Sequence, residues 1–203
     1  MCECIYRKQE SDGVLNSKSK GCLMMNKILQ YLDCPQYLRK TFFPHQPELQ
    51  FAGLLNPLDT PHHMRIHDDS LYREGVVLSK PVKPGHGSYV NVGLKDNLEV
   101  DKLIQNGVRV TVKVNKHNNS SDAAKKLTGT VVPWSEPRVK SGLYWGYRTR
   151  LAADLNEALH GKSVVAPEGY DCIIGTSDKG DNIDRFNLPS YKLSRDLEQF
   201  ELK

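Results

Sequence analysis

The loop at residues 56–65 concentrates the residue types that could act on a substrate. Two prolines stiffen it, and it carries carboxylate, imidazole and guanidinium groups. Asp59 could accept a proton and Arg65 could hold a phosphate through paired hydrogen bonds, so we predict both as substrate-side catalytic residues. His63 and His67 permit a metal hypothesis, but no H-E-x-x-H spacing supports it, and we predict no metal. The alternative is a rigid loop with solvated ends.

A second candidate is the turn formed by Gly175, Thr176 and Ser177, which follows a predicted buried strand at residues 170–174. In open α/β sheets, ligands bind at the carboxyl ends of strands. Glycine lets the backbone approach a ligand, and hydroxyl side chains supply hydrogen bonds. In an arbitrary protein, a plain glycine turn is the more frequent interpretation of such a sequence.

Positive charge concentrates in residues 102–150, and aromatic residues interleave with it in residues 134–150. Ten Lys or Arg stand in residues 102–150 against two acidic residues, although the formal net charge of the whole chain is only +4. Aromatic faces beside cations are typical of proteins that hold single-stranded RNA. The candidate RNA contacts are Arg109, Lys113, Lys116, Arg138, Lys140, Arg148 and Arg150. The alternatives are a solvated basic face and aromatic side chains that belong to the core.

The hydrophobic pattern predicts the elements that position these residues. Met25, Ile28, Leu29 and Leu32 form one apolar stripe of a helix, which Asp33-Cys34-Pro35 ends. Five strands are predicted at residues 73–79, 88–94, 98–101, 107–115 and 126–134, and they suit a small barrel of the OB type. In the fourth, the alternation places valines inside and polar residues outside. Further strands at 51–55, 142–150 and 170–174, with a helix at 151–159, complete an α/β layer that this barrel interrupts.

Several classes of protein are disfavoured. No apolar run reaches the ~18 residues of a membrane span, and the first residues lack the apolar core of a secretory signal. The five cysteines are odd in number and irregular in spacing, which argues against a disulfide framework. We therefore expect an intracellular protein, nuclear or cytoplasmic, without a membrane partner. The sequence contains no P-loop, no G-x-G-x-x-G and no G-x-S-x-G motif.

Six segments together resemble the eukaryotic SPOUT (α/β-knot) RNA methyltransferases. They are QYLDCPQYLRK (30–40), FAGLLNPLDTPHHMR (51–65), REGVV (73–77), PGHGSYVNVG (84–93), GLYWGYRTRLA (142–152) and GYDCIIGTSDKG (169–180). The resemblance implies a SPOUT domain with an inserted OB-like barrel, a homodimer, and methylation of an RNA base, with uridine N3 in rRNA as a candidate. It implies S-adenosylmethionine as cofactor, with Gly175, Thr176 and Ser177 in its first binding loop and residues 56–65 facing the substrate.

The sequence also departs from the family pattern. Only 28 residues follow Gly175, whereas two more strands, a helix and their loops need about 35. The opening MCECIYRKQE does not match the family's first strand. We therefore expect an α/β fold with an incomplete knot: an arm at 1–22, a partial SPOUT domain at 23–69 and 136–203, and a barrel at 70–135. We also expect weak or no cofactor binding by this chain alone.

Two alternatives to an active enzyme remain open at this point. In one, the chain is a non-catalytic RNA-binding module built on the barrel. In the other, it is an inactive truncated isoform whose exposed sheet edge disturbs folding. RNA binding with a steep salt dependence, without methyl transfer, would favour the first.

Overall fold

A computed structural model describes residues 2–5, 17–115, 127–161, 167–170, 172–175 and 179. Its strands are β1 Cys2–Ile5, β2 Tyr72–Val77, β3 Tyr89–Asn91, β4 Leu98–Val100, β5 Arg109–Val114, β6 Thr128–Val132 and β7 Thr149–Ala152. Its α-helices are α1 Ser17–Asp33, α2 Gln36–Phe42, α3 Glu136–Ser141 and α4 Leu155–His160. Two 3₁₀ turns lie at Pro47–Leu49 and Ala52–Leu54. No described helix is long and apolar enough to cross a membrane.

Strands β2 to β6 form a closed barrel in the order β2-β3-β4-β6-β5. Strand β4 pairs with β6 in parallel, and the other neighbouring pairs are antiparallel. All five strands were predicted, because alternating side chains and turn residues are local signals. The interior is apolar and includes Val77, Val90, Leu98 and Val112, each no more than 2% exposed. The predicted inward direction of the valines is confirmed at Val112 and Val114, and Val110 packs against the same interior, whereas Val108, just before β5, is 38% exposed.

Glycine at position 75 is required by the packing of this interior. A Cβ there would lie 2.4 Å from Val90 Cγ1 and 2.8 Å from Val92 Cγ1. Gly75→Ala is expected to lower the free energy of unfolding by about 1–3 kcal/mol, because a filled core must shift to admit a methyl group. Gly53→Ala is the matched control, since a Cβ at Gly53 meets nothing within 4 Å. Equal denaturant midpoints for the two variants would contradict the packing described here.

A second, smaller sheet pairs β1 with β7 in parallel, Cys2 opposite Thr149 and Ile5 opposite Ala152. The predicted arm at residues 1–22 was therefore wrong for Cys2–Ile5, and α1 begins at Ser17 rather than near residue 23. The opening residues are polar, but the edge of β7 offers backbone donors and acceptors that a strand there can pair.

Helix α2 packs the α/β layer against the outside of the barrel. Cys34, Leu38 and Val76 form a buried cluster, with Tyr37 and Phe43 around it. Because β2 faces the barrel interior on one side and this cluster on the other, all six of its residues are buried. A strand buried on both faces explains why β2 holds the barrel to the helices.

Three predicted strands differ in the structure. Residues 51–55 contain a 3₁₀ turn, with Leu54 83% exposed. Residues 142–148 are irregular and follow an unpredicted helix, α3, since Gly142 and Gly146 adopt positive φ angles of 62° and 73° that interrupt a strand. The described residues of 170–174 form no strand, and Ile173 and Ile174 are more than half exposed. No described strand pairs with them, so the prediction of a buried strand there was wrong.

Candidate substrate site and nucleic-acid interface

The carboxylate of Asp33, at the end of α1, joins the barrel to the α/β layer. Its Oδ1 accepts the backbone N–H of Tyr147 at 3.1 Å, and its Oδ2 accepts Arg109 Nη2 at 3.2 Å. His62 Nε2 lies 3.3 Å from Oδ1. Burial alone would raise the pKa of Asp33, but the hydrogen bond from His62 and the charge of Arg109 outweigh it, so the pKa lies below 3.8. Asp33 is therefore ionised at neutral pH.

The backbone carbonyl of Asp33 holds the loop that carries the predicted catalytic residues. His62 Nε2 lies 3.0 Å and His63 Nε2 2.9 Å from this oxygen. His63 Nδ1 lies 3.0 Å from the carbonyl oxygen of Leu58. Burial lowers the pKa of His63, which favours a neutral ring with one N–H to donate. The His63 ring therefore lies between the carbonyl oxygens of Asp33 and Leu58, and in its neutral form it donates a hydrogen bond to one of them.

A buried arginine fixes the other end of the same loop. Arg73, only 2% exposed, donates from Nη2 to the carbonyl oxygens of Arg65 at 2.9 Å and Asp68 at 2.5 Å. The carboxylate of Asp68 in turn accepts the N–H of Arg65 at 2.7 Å. The backbone at Arg65 is thus tied to β2, while the guanidinium of Arg65 stays exposed.

Asp59 and Arg65, which we predicted as catalytic residues, line one cavity of about 560 Å³. Tyr37 and Gly93 form part of its wall. The Tyr37 hydroxyl donates to the Glu74 carbonyl oxygen at 2.6 Å, and a Cβ at Gly93, where φ is 75°, would lie 2.7 Å from the Tyr37 ring. The cavity therefore offers a carboxylate that can accept a proton, Asp59, and a cation, Arg65. Tyr37, which is hydrogen-bonded to the barrel, forms part of its wall.

Arg109, a predicted RNA contact, lies inside this framework. Its guanidinium donates to Glu74 Oε2 and to Asp33 Oδ2, and about a third of its side chain is exposed. Burial would lower the pKa of Arg109, but Glu74 raises it beyond its ordinary value. Burial raises the pKa of Glu74 although Arg109 opposes this effect. Arg109 therefore forms ion pairs with the carboxylates of Asp33 and Glu74.

Trp134 stacks with two of the other predicted RNA contacts. The Arg138 and Arg148 guanidinium carbons lie 4.6 Å and 4.9 Å from its ring centroid, and Arg138 also lies 5.5 Å from the centroid of Tyr144. Arg138 donates to the Gly146 carbonyl oxygen, which holds it in place. Trp145, by contrast, is fully buried and donates from Nε1 to Thr111 Oγ1 at 3.3 Å. Trp145 is therefore a core residue, whereas the Trp134 cluster reaches the surface.

The remaining predicted RNA contacts are separated from one another. Lys140 pairs with Glu136 one helical turn away, at 3.4 Å. Arg150 donates to the carbonyl oxygens of Glu157 and Ala158 on α4. Lys113 lies on β5, half-buried, and Lys116 lies outside the described residues.

Gly175 is exposed, and a Cβ there would meet nothing within 4 Å, while Thr176 and Ser177 lie outside the described residues. The described part of the chain also contains no group of three or more His, Cys, Asp or Glu arranged to hold a metal ion. His63, the residue behind the metal hypothesis, faces two carbonyl oxygens instead.

Comparison with known proteins identifies the family. The sequence matches the family described as "Putative RNA methyltransferase" over residues 5–200. It is 47% identical over 180 residues to the human 28S rRNA (uridine-N(3))-methyltransferase, covering 88% of this chain and 46% of that protein. It is 47% identical over 194 residues to the enzyme of the same name from Drosophila melanogaster, covering 94% of this chain and 39% of that protein.

The chain belongs to this SPOUT family of RNA methyltransferases. It spans less than half the length of the curated relatives it matches here. The match includes the Asp59–Arg65 cavity, the barrel and the Trp134 cluster.

Asp33 and Glu74 are the site residues of this family member that sequence reasoning missed. Asp33 was interpreted only as part of a helix break, and Glu74 only as a residue of a strand. A signal exists for both: an acidic residue in the last turn of a helix opposes the helix dipole, and a carboxylate inside an apolar strand needs a partner. Such residues suggest an unseen cation, which here is Arg109.

Proposed function

We propose that this chain acts in the methylation of an RNA base, with uridine N3 as the accepting atom and S-adenosylmethionine as the methyl donor. The observation that carries the proposal is the cavity that Asp59 and Arg65 both line, in a chain of an RNA methyltransferase family. The relatives named above act on uridine N3 of 28S rRNA, and the proposal extends that specificity to this chain.

The reaction asks the protein chiefly to position the base and to remove a proton. Uridine N3 carries a proton, so a base that accepts it would aid attack on the methyl group. Asp59 has a carboxylate that can accept this proton, and Arg65 can hold an RNA phosphate through two hydrogen bonds. His63 and Arg73 fix the two ends of the loop, which gives the pair a defined orientation.

The donor supplies a methyl group on a positively charged sulfur. The described residues around Gly175 do not form a cradle for it, since Gly175 and the isoleucines before it are exposed and nothing packs within 4 Å of a Cβ at Gly175. We accordingly assign the donor no contact that rests on the geometry of the described residues. Gly175, Thr176 and Ser177 remain candidates on the strength of the family pattern alone.

The domain arrangement that we propose follows the resemblance. Residues 70–135 form an OB-like barrel inserted between two parts of a SPOUT domain, residues 23–69 and 136–203. The closed order with one parallel pair, β4 with β6, supports the OB type. We further propose that the protein works as a homodimer, as its resemblance to the SPOUT methyltransferases implies.

A methyl-transfer assay tests the proposed function. The 203-residue chain is incubated with 28S rRNA and donor carrying a labelled methyl group, with chain in excess over RNA and donor in large excess. We expect label in the RNA. RNA binding without any transfer would instead select the second candidate function, a non-catalytic RNA-binding module, which the exposed Trp134 cluster favours.

A further inference from the structure

We infer that the groove lined by residues of β5, β6 and Trp134 binds one unstacked nucleotide of a single-stranded RNA segment. This inference rests on the proposed function and assigns an RNA-binding site outside the Asp59–Arg65 cavity. The groove has a volume of about 590 Å³. Residues from the barrel and from the segment that leads to β7 line it, so it lies at the junction of the two layers.

One side of the groove is apolar and unusually exposed. Leu103 is 75% exposed and Val108 38% exposed, and Ile104 and Val131, which pack against the barrel interior, line the groove as well. Trp134, Tyr147 and Arg148 also line the groove. Apolar side chains together with an arginine packed on a tryptophan bind a flat nucleobase with polar edges more favourably than they bind water.

Arg148, the cation that packs on Trp134, is held in a defined position. Arg148 packs its guanidinium on the Trp134 ring at 4.9 Å, and Arg138 packs on the same ring at 4.6 Å. The Tyr147 hydroxyl donates to the Leu29 carbonyl oxygen at 2.7 Å, and its N–H donates to Asp33, so the backbone beside Arg148 is fixed. A guanidinium that stacks on an indole keeps a second planar face, on which a base can stack.

The charge of the groove is complementary to a phosphodiester. Arg148 and Lys102 line it, and within the described part of the chain neither forms an ion pair. Asp33 and Glu74 also line it, but Arg109 binds both carboxylates. Arg109 offsets one of these two negative charges, so Lys102 and Arg148 give the charged residues that line the groove a net charge of +1. A neutral apolar ligand would leave both cations unused, whereas a nucleotide uses the apolar wall and the cations together.

The experiment measures the affinity of the chain for a fluorescent single-stranded oligonucleotide over a range of salt concentrations. Leu103→Glu places a negative charge on the apolar wall, and Leu54→Glu is its matched control, because Leu54 is 83% exposed and lies outside the groove. Arg148→Lys keeps the charge but removes the planar stacking face. Circular dichroism and denaturant midpoints establish that each variant is folded.

We expect Leu103→Glu and Arg148→Lys each to weaken binding about tenfold. The salt slope of Arg148→Lys should equal that of the wild type, because no cation is lost. Leu54→Glu should bind within about twofold of the wild type.

Three outcomes would overturn the inference. If the wild type binds RNA and both groove variants bind as tightly as Leu54→Glu, the groove is not the site and the proposed function stands. If a duplex of the same sequence competes as well as the single strand, the ligand is not an unstacked nucleotide. If the wild type binds no RNA even at low salt, the proposed function fails as well.

Discussion

Replacing Asp33 with asparagine is expected to lower the free energy of unfolding by about 3 kcal/mol. The amide keeps an oxygen for the Tyr147 N–H, but its NH₂ group faces the Arg109 guanidinium, donor against donor. Because Asp33 is 6% exposed, water does not replace the lost acceptor, and the positive charge of Arg109 is left with Glu74 alone. Urea denaturation followed by circular dichroism measures the change.

The control for this variant is Asp96→Asn, at an exposed position between β3 and β4. Its free energy of unfolding should change by less than about 0.5 kcal/mol. An equal effect at the two positions would show that Asp33 does not join the layers.

The Asp33 effect should also depend on pH in a defined direction. The folded-state pKa of Asp33 lies below 3.8, so its ionised form stabilises the fold at neutral pH and this contribution is lost as pH falls through that pKa. The difference between wild type and Asp33→Asn should therefore shrink in acid. A difference that grows on acidification would contradict the ion pair with Arg109.

Asp59→Asn is expected to slow methyl transfer to RNA by about 10²- to 10⁴-fold, the range typical of a lost general base. The amide matches the carboxylate in shape but cannot accept the proton of uridine N3. Because Asp59 is exposed, no fold contact depends on its charge, and the denaturant midpoint should not change. Single-turnover assays with saturating donor measure the chemical step, and RNA affinity is measured in parallel.

The Asp59 prediction has two informative comparisons. Asp96→Asn, which lies outside the cavity, should retain the wild-type rate. Raising the pH should partly rescue Asp59→Asn, since hydroxide can then remove the N3 proton. A variant that loses RNA affinity while its single-turnover rate is unchanged would show that Asp59 binds RNA rather than moves a proton.

The barrel could be predicted from the sequence because its signals are local. Val112 and Val114 alternate with polar residues, and turns such as Asn106-Gly107 separate the strands, so each strand is recognisable without its neighbours. The pairing of Asp59 with Arg65 in one cavity was within reach for the same reason, since a single stiff loop carries both.

The framework behind the cavity could not be predicted in this way. Asp33 accepts the N–H of Tyr147 from 114 residues away along the chain, and it meets Arg109 across 76 residues. Contacts between residues so far apart along the chain produce no periodic pattern in the sequence. For this reason Arg109 was predicted to bind RNA, although the fold places it between Asp33 and Glu74.

Charge along the sequence also does not reveal which cations pair internally. Lys140 and Arg150 both belong to the basic stretch of the sequence. In the fold, however, Lys140 pairs with Glu136 on α3, and Arg150 donates to the Glu157 carbonyl oxygen on α4. Arg148 differs because it packs on Trp134 at the surface. Only the arrangement of side chains in space separates these cases.

Analysis of the methylated nucleoside tests most directly whether this chain transfers a methyl group to uridine N3. RNA treated with the wild-type chain and labelled S-adenosylmethionine is digested to nucleosides, which are separated and identified by mass spectrometry. We predict that the label lies on N3-methyluridine and that this product is strongly reduced with Asp59→Asn. Label on another nucleoside, or no labelled nucleoside with RNA demonstrably bound, would contradict it.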